Sequence, residues 1–154
     1  MSKVITDEKR IRWIFDRRLV NFIPSEEEII ERFKSGQRLK IYYGIDPTGP
    51  DIHLGHTVQL LFLKNLYELG HKPILLIGDF TARIGDPTGK DTTRRLLTEK
   101  EIRNNMKNYL DQVYRILPKG SFEFKYNSSW LSKLSFQDVL DLASNITVQE
   151  MFDR

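Results

Sequence analysis

The sequence predicts an α/β fold built on a parallel sheet, and three observations predict it. Two short β-rich runs, 39–45 and 73–78, flank an apolar helical stretch over 55–69 at the spacing of a strand–helix–strand unit. The second run, Pro73-Ile74-Leu75-Leu76-Ile77-Gly78, is apolar without interruption, as expected of a strand buried on both faces. Both strands lead into loops rich in Gly, Pro, Asp and Thr, and in parallel sheets ligands bind outside the carboxyl ends of the strands.

Local signals justify the elements in turn. Thr6 is expected to cap a helix through Ile11, Ile14, Phe15 and Leu19. Beyond Pro24, Ser25 with Glu28 forms a capping box for a second helix ending near Gly36. Val58, Leu61, Phe62 and Leu69 give the central helix an apolar side, which Leu60, Leu63 and Leu66 broaden, and Gly70 stands as its C′ residue. Residues 79–97 read as one long loop, a length that in compact domains signals function or disorder. Thr98 and Glu101 form a further capping box, opening a single helix through Ile102, Met106, Leu110, Val113 and Leu117 that stops at Pro118. Phe122 to Tyr126 alternates like a third strand, and Ser135 caps a short helix through Val139 and Leu142. Thr147 and Glu150 open a last helix with Val148, Met151 and Phe152 on its apolar face; it has a start signal and no stop signal, so an incomplete chain is expected. The organisation expected is a helical segment over 1–37 followed by a sheet domain over 38–154.

Composition bounds the function. A chain of 154 residues, 40% apolar and 29% charged, suits one ordinary domain burying roughly 70% of its unfolded surface. The absence of cysteine excludes disulfides, zinc ribbons and thiolate catalysis. No apolar run approaches the roughly 20 residues that span a bilayer, and the charged N-terminus lacks a signal-peptide core, so a cytoplasmic protein with no membrane partner is expected. A net charge of +3 is too mild to identify a nucleic-acid binder. The cations Arg83, Lys90, Arg94, Arg95, Lys100 and Arg103 do gather in one stretch, which by itself reads as a solvated face.

Chemistry concentrates after the first strand, in Gly44-Ile45-Asp46-Pro47-Thr48-Gly49-Pro50-Asp51-Ile52-His53-Leu54-Gly55-His56. Histidines three apart share a helix face and could be half a metal site. With His71 the only other histidine and no carboxylate repeating the spacing, no metal centre is expected. Ordinary core or surface histidines are an alternative. A third is a phosphate-facing helix start, where Gly55 lets a ligand approach the backbone and Pro47, Gly49 and Pro50 hold the turn before it. Downstream, Ile84-Gly85-Asp86-Pro87-Thr88-Gly89-Lys90 invites comparison with a P-loop. It is one residue short between its glycines, and Asp91 stands where the magnesium-binding hydroxyl belongs. No Gly-x-Gly-x-x-Gly, Gly-x-Ser-x-Gly or placed acid/base pair occurs.

Taken together these segments are specific. Gly-x-Asp-Pro-Thr, His-Leu-Gly-His and Gly-Asp-Pro-Thr-Gly-Lys, with Gly70-His71-Lys72-Pro73, Ile77-Gly78-Asp79-Phe80-Thr81 and Leu142-Ala143-Ser144-Asn145, resemble the catalytic domain of bacterial tyrosyl-tRNA synthetases from about residue 7 onward. The resemblance implies the N-terminal half of the Rossmann-like fold of class I aminoacyl-tRNA synthetases. It implies ATP-dependent activation of L-tyrosine and transfer to tRNA(Tyr), with ATP and Mg2+ as substrate, no protein-bound metal, and the homodimeric state of the family. Thr48 and His53 would meet the departing phosphates, His56 the nucleotide near its ribose and α-phosphate, and Lys90 and Arg94 would close over pyrophosphate. Tyr43, Gly44, Asp46 and Gly55 would join His53 and His56 around ATP. Tyr42, Asp46, Thr81, Asp86 and Asn127 would surround tyrosine: Tyr42 at the phenol, Asp86 at the ammonium group, Asn127 with Trp130 beside the pocket. Asp46-Pro47-Thr48 stands where tryptophanyl-tRNA synthetases favour Gln-Pro-Ser. The family's Lys-Met-Ser-Lys-Ser motif, its later tyrosine-pocket helix and its anticodon-binding region do not occur in this sequence. A weakly active or inactive fragment is therefore expected, or one half of a split synthetase; a nucleotide-binding module without catalysis is the alternative.

Overall fold

The computed structural model describes residues 3–84 and 96–152. Three parallel strands, β1 (Lys40–Ile45), β2 (Lys72–Ile77) and β3 (Glu123–Tyr126), lie in the order β1-β2-β3. Ile45 is in register with Ile77, and Ile77 with Tyr126, so the three strands end level at one carboxyl edge. That alignment decides where any site can form, because it brings the chain beyond each strand to one place.

Two helices precede the sheet, α1 (Glu8–Asp16) and α2 (Glu26–Lys34). Asp7, not Thr6, caps α1: its carboxylate accepts the Arg10 N–H at 2.8 Å, and a carboxylate is also favoured by the helix dipole. Ser25 caps α2 through the Glu28 N–H. Ile11, Ile14, Phe15, Ile30 and Phe33 enter the same apolar cluster as the sheet's Leu75 and Ile77, with Phe15 and Phe33 edge to face at 4.9 Å.

The crossover helix α3 (Leu54–Glu68) buries a different stripe from the one the spacing centred on. Leu60, Leu63, Leu66 and, just beyond the helix, Leu69 are fully covered, whereas Val58 and Leu61 are exposed. A helix apolar nearly all round carries no pattern that says which side meets the sheet; packing decides it. Gly70 has φ +93°, and a Cβ there would lie 2.9 Å from the Lys3 carbonyl oxygen, so the turn needs glycine twice over. In β2, Pro73, Leu75 and Ile77 are buried while Ile74 and Leu76 are only partly covered: one face is packed, the other half-open. The uninterrupted apolar run anticipated two packed faces.

The expected single helix after Thr98 is two, α4 (Glu99–Met106) and α5 (Tyr109–Val113), broken at Asn108. The reciprocal Thr98–Glu101 box opens α4 as anticipated. Three further helices follow β3: α6 (Ser128–Leu131), α7 (Phe136–Ala143) and α8 (Val148–Phe152). Ser135 with Asp138, and Thr147 with Glu150, form the caps of the last two. Every residue from Ser132 to Met151 is exposed.

Candidate functional site

The carboxyl edge of the sheet holds a cleft of about 550 Å³. The loops after β1 and β2 supply Asp46, Thr48, Gly78 and Thr81, β1 itself supplies Tyr43 and Gly44, α3 supplies His56, and the residue after β3 supplies Asn127. Of the residues singled out in the sequence, Tyr43, Gly44, Asp46, Thr48, His56, Thr81 and Asn127 are thus brought together. His53 and Gly55 stand beside them at the start of α3. Tyr42 is 72% exposed and does not line the cleft. Asp86, Lys90 and Arg94 lie outside the described residues.

The start of α3 is a capping box made of two histidines. The His53 Nδ1 accepts the Gly55 N–H at 3.1 Å, and the His56 Nδ1 accepts the His53 N–H at 3.4 Å. The rings stack with centroids 3.8 Å apart. Because both Nδ1 atoms are used as acceptors, the neutral rings carry their protons on Nε2, and those N–H groups remain as donors. Burial lowers the His56 pKa from its ordinary value, and the adjacent His53 lowers it further. A Cβ on Gly55 would lie 2.9 Å from the His53 ring, so glycine here makes room for the histidine that caps the helix. Two imidazoles at a helix N-terminus, with Thr48 lining the adjoining cleft, are groups whose chemistry suits an anion.

What holds the His-bearing loop in place was invisible to motif reading. Asn105 of α4 donates to the Pro47 carbonyl at 2.9 Å, and the Tyr109 hydroxyl donates to the Gly49 carbonyl at 2.9 Å. Gln112 grips the same loop twice, accepting the Ile52 N–H at 2.8 Å and donating to the Pro50 carbonyl at 3.1 Å. Burial raises the pKa of Tyr109, as do the nearby Asp51 and Asp46 carboxylates, so the phenol stays protonated and donating. The break at Asn108 lets both short helices face this loop. On the single helix that the sequence predicts, polar residues at 105, 109 and 112 would share one face, which is the sign of this role in the sequence.

Asn127 is buried and has both side-chain polar atoms engaged. Its Oδ1 accepts the Phe80 N–H at 2.9 Å and its Nδ2 donates to the Thr81 hydroxyl oxygen at 2.9 Å. The Thr81 hydroxyl in turn donates to Asp46 Oδ1 at 2.8 Å. Asp79, one residue after Gly78, accepts both the backbone N–H and the hydroxyl of Ser128, tying the loops after β2 and β3 together. The cleft is therefore lined by both hydrogen-bond donors and a carboxylate acceptor. Such a site binds and aligns a ligand carrying both kinds of group.

The family model described as class I tRNA synthetases (W and Y) matches residues 34–154. A curated tyrosine–tRNA ligase from Carboxydothermus hydrogenoformans is 46% identical over 154 residues, covering 97% of this chain and 37% of its own length. The chain thus spans little more than a third of that relative. Among solved structures, a C-terminally truncated mitochondrial tyrosyl-tRNA synthetase of Aspergillus nidulans superposes with TM-score 0.73 at 24% identity, covering 96% of this chain and 48% of that one. The tyrosyl-tRNA synthetase of Archaeoglobus fulgidus, complexed with L-tyrosine, gives TM-score 0.69 at 25% identity, covering 91% of this chain and 40% of its own.

Proposed function

The chain belongs to the class I tRNA synthetases of the tryptophan and tyrosine type, and from that premise we propose that it carries the ATP-binding part of a tyrosine–tRNA ligase. The enzyme would activate L-tyrosine with ATP to tyrosyl-adenylate and pass the tyrosyl group to tRNA(Tyr). The observation that carries this reading is the histidine-capped start of α3, whose His56 lines one cleft with Asp46 at the carboxyl ends of three parallel strands.

The chemistry suits the residues. Tyrosine's carboxylate is itself the nucleophile: its oxygen bonds to the α-phosphorus as the bond to the bridging oxygen of pyrophosphate breaks. No general base is required, and rate comes from alignment and from stabilising charge on the departing phosphates. The His53 Nε2–H and the Thr48 hydroxyl are the proposed donors to those phosphates, with Lys90 and Arg94 joining them, and His56 is assigned to the nucleotide near its ribose and α-phosphate. Tyr43, Gly44 and Gly55 are assigned to the nucleotide; Tyr42, Thr81, Asp86 and Asn127 to the tyrosine side; and Asp46 to both. Magnesium would arrive on the phosphates of ATP. The proposed partners are tRNA(Tyr) and a second copy of the chain, in a cytoplasmic setting. A contact surface is supported by the exposed apolar side chains of Trp130, Phe136, Leu142 and Met151. Residues 1–37 are read as a helical preface to the sheet domain of 38–154.

The test is direct. ATP added to isotope-labelled chain should shift the amide signals of Leu54, Gly55 and His56, and replacing His53 and His56 together by alanine should abolish the shift. Tyrosine-dependent exchange of pyrophosphate into ATP should then fall by about 10²-fold or more in the same variant of the active enzyme. Exchange supported by tryptophan in place of tyrosine, or ATP shifts untouched by the double substitution, sinks the proposal.

A further inference from the structure

At the carboxyl edge of the sheet the strand order is written twice. The backbone carries it first: Gly78 N–H donates to the Ile45 carbonyl at 2.9 Å, and Asn127 N–H to the Ile77 carbonyl at 3.0 Å. One layer further out, side chains repeat it, Asn127 to Thr81 at 2.9 Å and Thr81 to Asp46 at 2.8 Å. The chain of donors runs in one direction and ends on the carboxylate. Because Asn127 already donates to the Thr81 oxygen, the Thr81 proton is left to choose between Asp46 Oδ1 and the Gly78 carbonyl at 3.3 Å. The shorter, charge-assisted contact is the stronger.

Gly78 is the second, independent part of this arrangement. A Cβ at this position would collide with Asp46 Oδ1 and the Thr81 hydroxyl oxygen. Its φ lies outside the range that favours glycine, so the backbone would accept other residues. What the glycine provides is space, and the Asp46 carboxylate fills it.

We propose that Gly78 and Asn127 are positioning residues that act through Thr81 to hold the Asp46 carboxylate in one orientation over the sheet edge. One carboxylate oxygen is committed to Thr81, and the other is presented to the ligand. Asn127 thereby serves the tyrosine side through Thr81, its Oδ1 being held by Phe80 and its Nδ2 turned to Thr81. That Asp46 meets a ligand at all rests on the functional reading above; that its orientation is set by these residues does not.

The experiment measures orientation and binding separately, on the full chain. Three-bond couplings report the Asp46 χ1 rotamer, and the amide spectrum of β1 and β2 reports the fold. A single rotamer is expected in the unaltered chain and in T81S, which keeps the hydroxyl. T81V keeps the shape but loses the donor, so rotamer averaging is expected there, and likewise in N127A and G78A, with β1 and β2 shifts preserved. Titration with tyrosine should then show affinity lowered about tenfold or more in T81V and G78A and restored in T81S. An Asp46 rotamer unchanged in both T81V and G78A overturns the proposal. A rotamer that averages as expected in a chain that binds neither tyrosine nor ATP upholds the positioning role and removes the functional reading instead.

Discussion

The part of the molecule up to Asn127 and the part from Ser132 to Met151 are built from the same local signals and end in opposite states. Thr98–Glu101 in the first region and Ser135–Asp138 in the second form the same reciprocal capping box. Yet α4 and α5 bury Ile102, Tyr109 and Val113, while Phe136, Val139, Leu140 and Leu142 of α7 all remain exposed. Caps and amphipathic spacing start a helix in either place; only a covered face gives it tertiary stability. The first region has a sheet to supply that cover, and the second has none among the described residues.

That contrast can be broken or sharpened by substitution. The largest effect is expected at the centre of the sheet: Leu75→Ala should cost about 2–5 kcal/mol in denaturant unfolding, whereas Leu140→Ala should stay within about 0.5 kcal/mol. Equal costs would show that α7 is packed in solution after all. Next comes Gly70→Ala, expected to cost about 1–3 kcal/mol because the residue combines a left-handed φ with a Cβ collision against the Lys3 backbone; thermal melting checks it. A smaller difference should separate two caps. Ser25→Ala should lower global stability by about 1 kcal/mol, while Ser135→Ala should reduce helicity in circular dichroism and leave the unfolding midpoint in place.

The mildest effect is a pH dependence from the opposite edge of the sheet. His71 is 2% exposed, edge-on to Phe33, and its Nε2 has no partner among the described residues. Burial first, and Arg38 second, lower its pKa below the ordinary 6.5. Above that value folded and unfolded chains both hold it neutral, and its contribution to stability is complete. Below it the unfolded chain takes up a proton that the folded chain resists, so stability declines as pH falls. Unfolding midpoints compared between neutral and mildly acidic buffer should therefore drop, and His71→Leu should flatten the slope. His56, lowered in the same direction, leaves a residual slope.

Much of this was legible in the sequence because it depends on neighbours along the chain. Ser25, Thr98 and Ser135 are local caps, Gly70 is a local turn, and strand–helix–strand spacing is local too. What depends on distant partners was not. The face of α3 could not be chosen while leucines surrounded it. The break at Asn108 goes with Asn105, Tyr109 and Gln112 reaching a loop some sixty residues earlier, as the Tyr109–Gly49 contact illustrates. In the site, the His53–His56 spacing marked the helix start, but the stacking of the rings and the use of both Nδ1 atoms needed the backbone in place. The line from Asn127 to Asp46 needed the register of three strands, which no spacing along the chain encodes.

The capping imidazole of His56 makes the proton a second ligand of the cleft. With its pKa held down by burial and by His53 beside it, this ring would meet an incoming anion as a dipole. Once the anion is seated, its charge reverses the balance that keeps His56 unprotonated. Binding of a polyphosphate should thus draw protons from the medium, more of them as the solution becomes mildly acidic, and tighten as it does so. Calorimetry in buffers of different ionisation heat would count them: an enthalpy that does not vary with the buffer would mean that His56 stays neutral throughout.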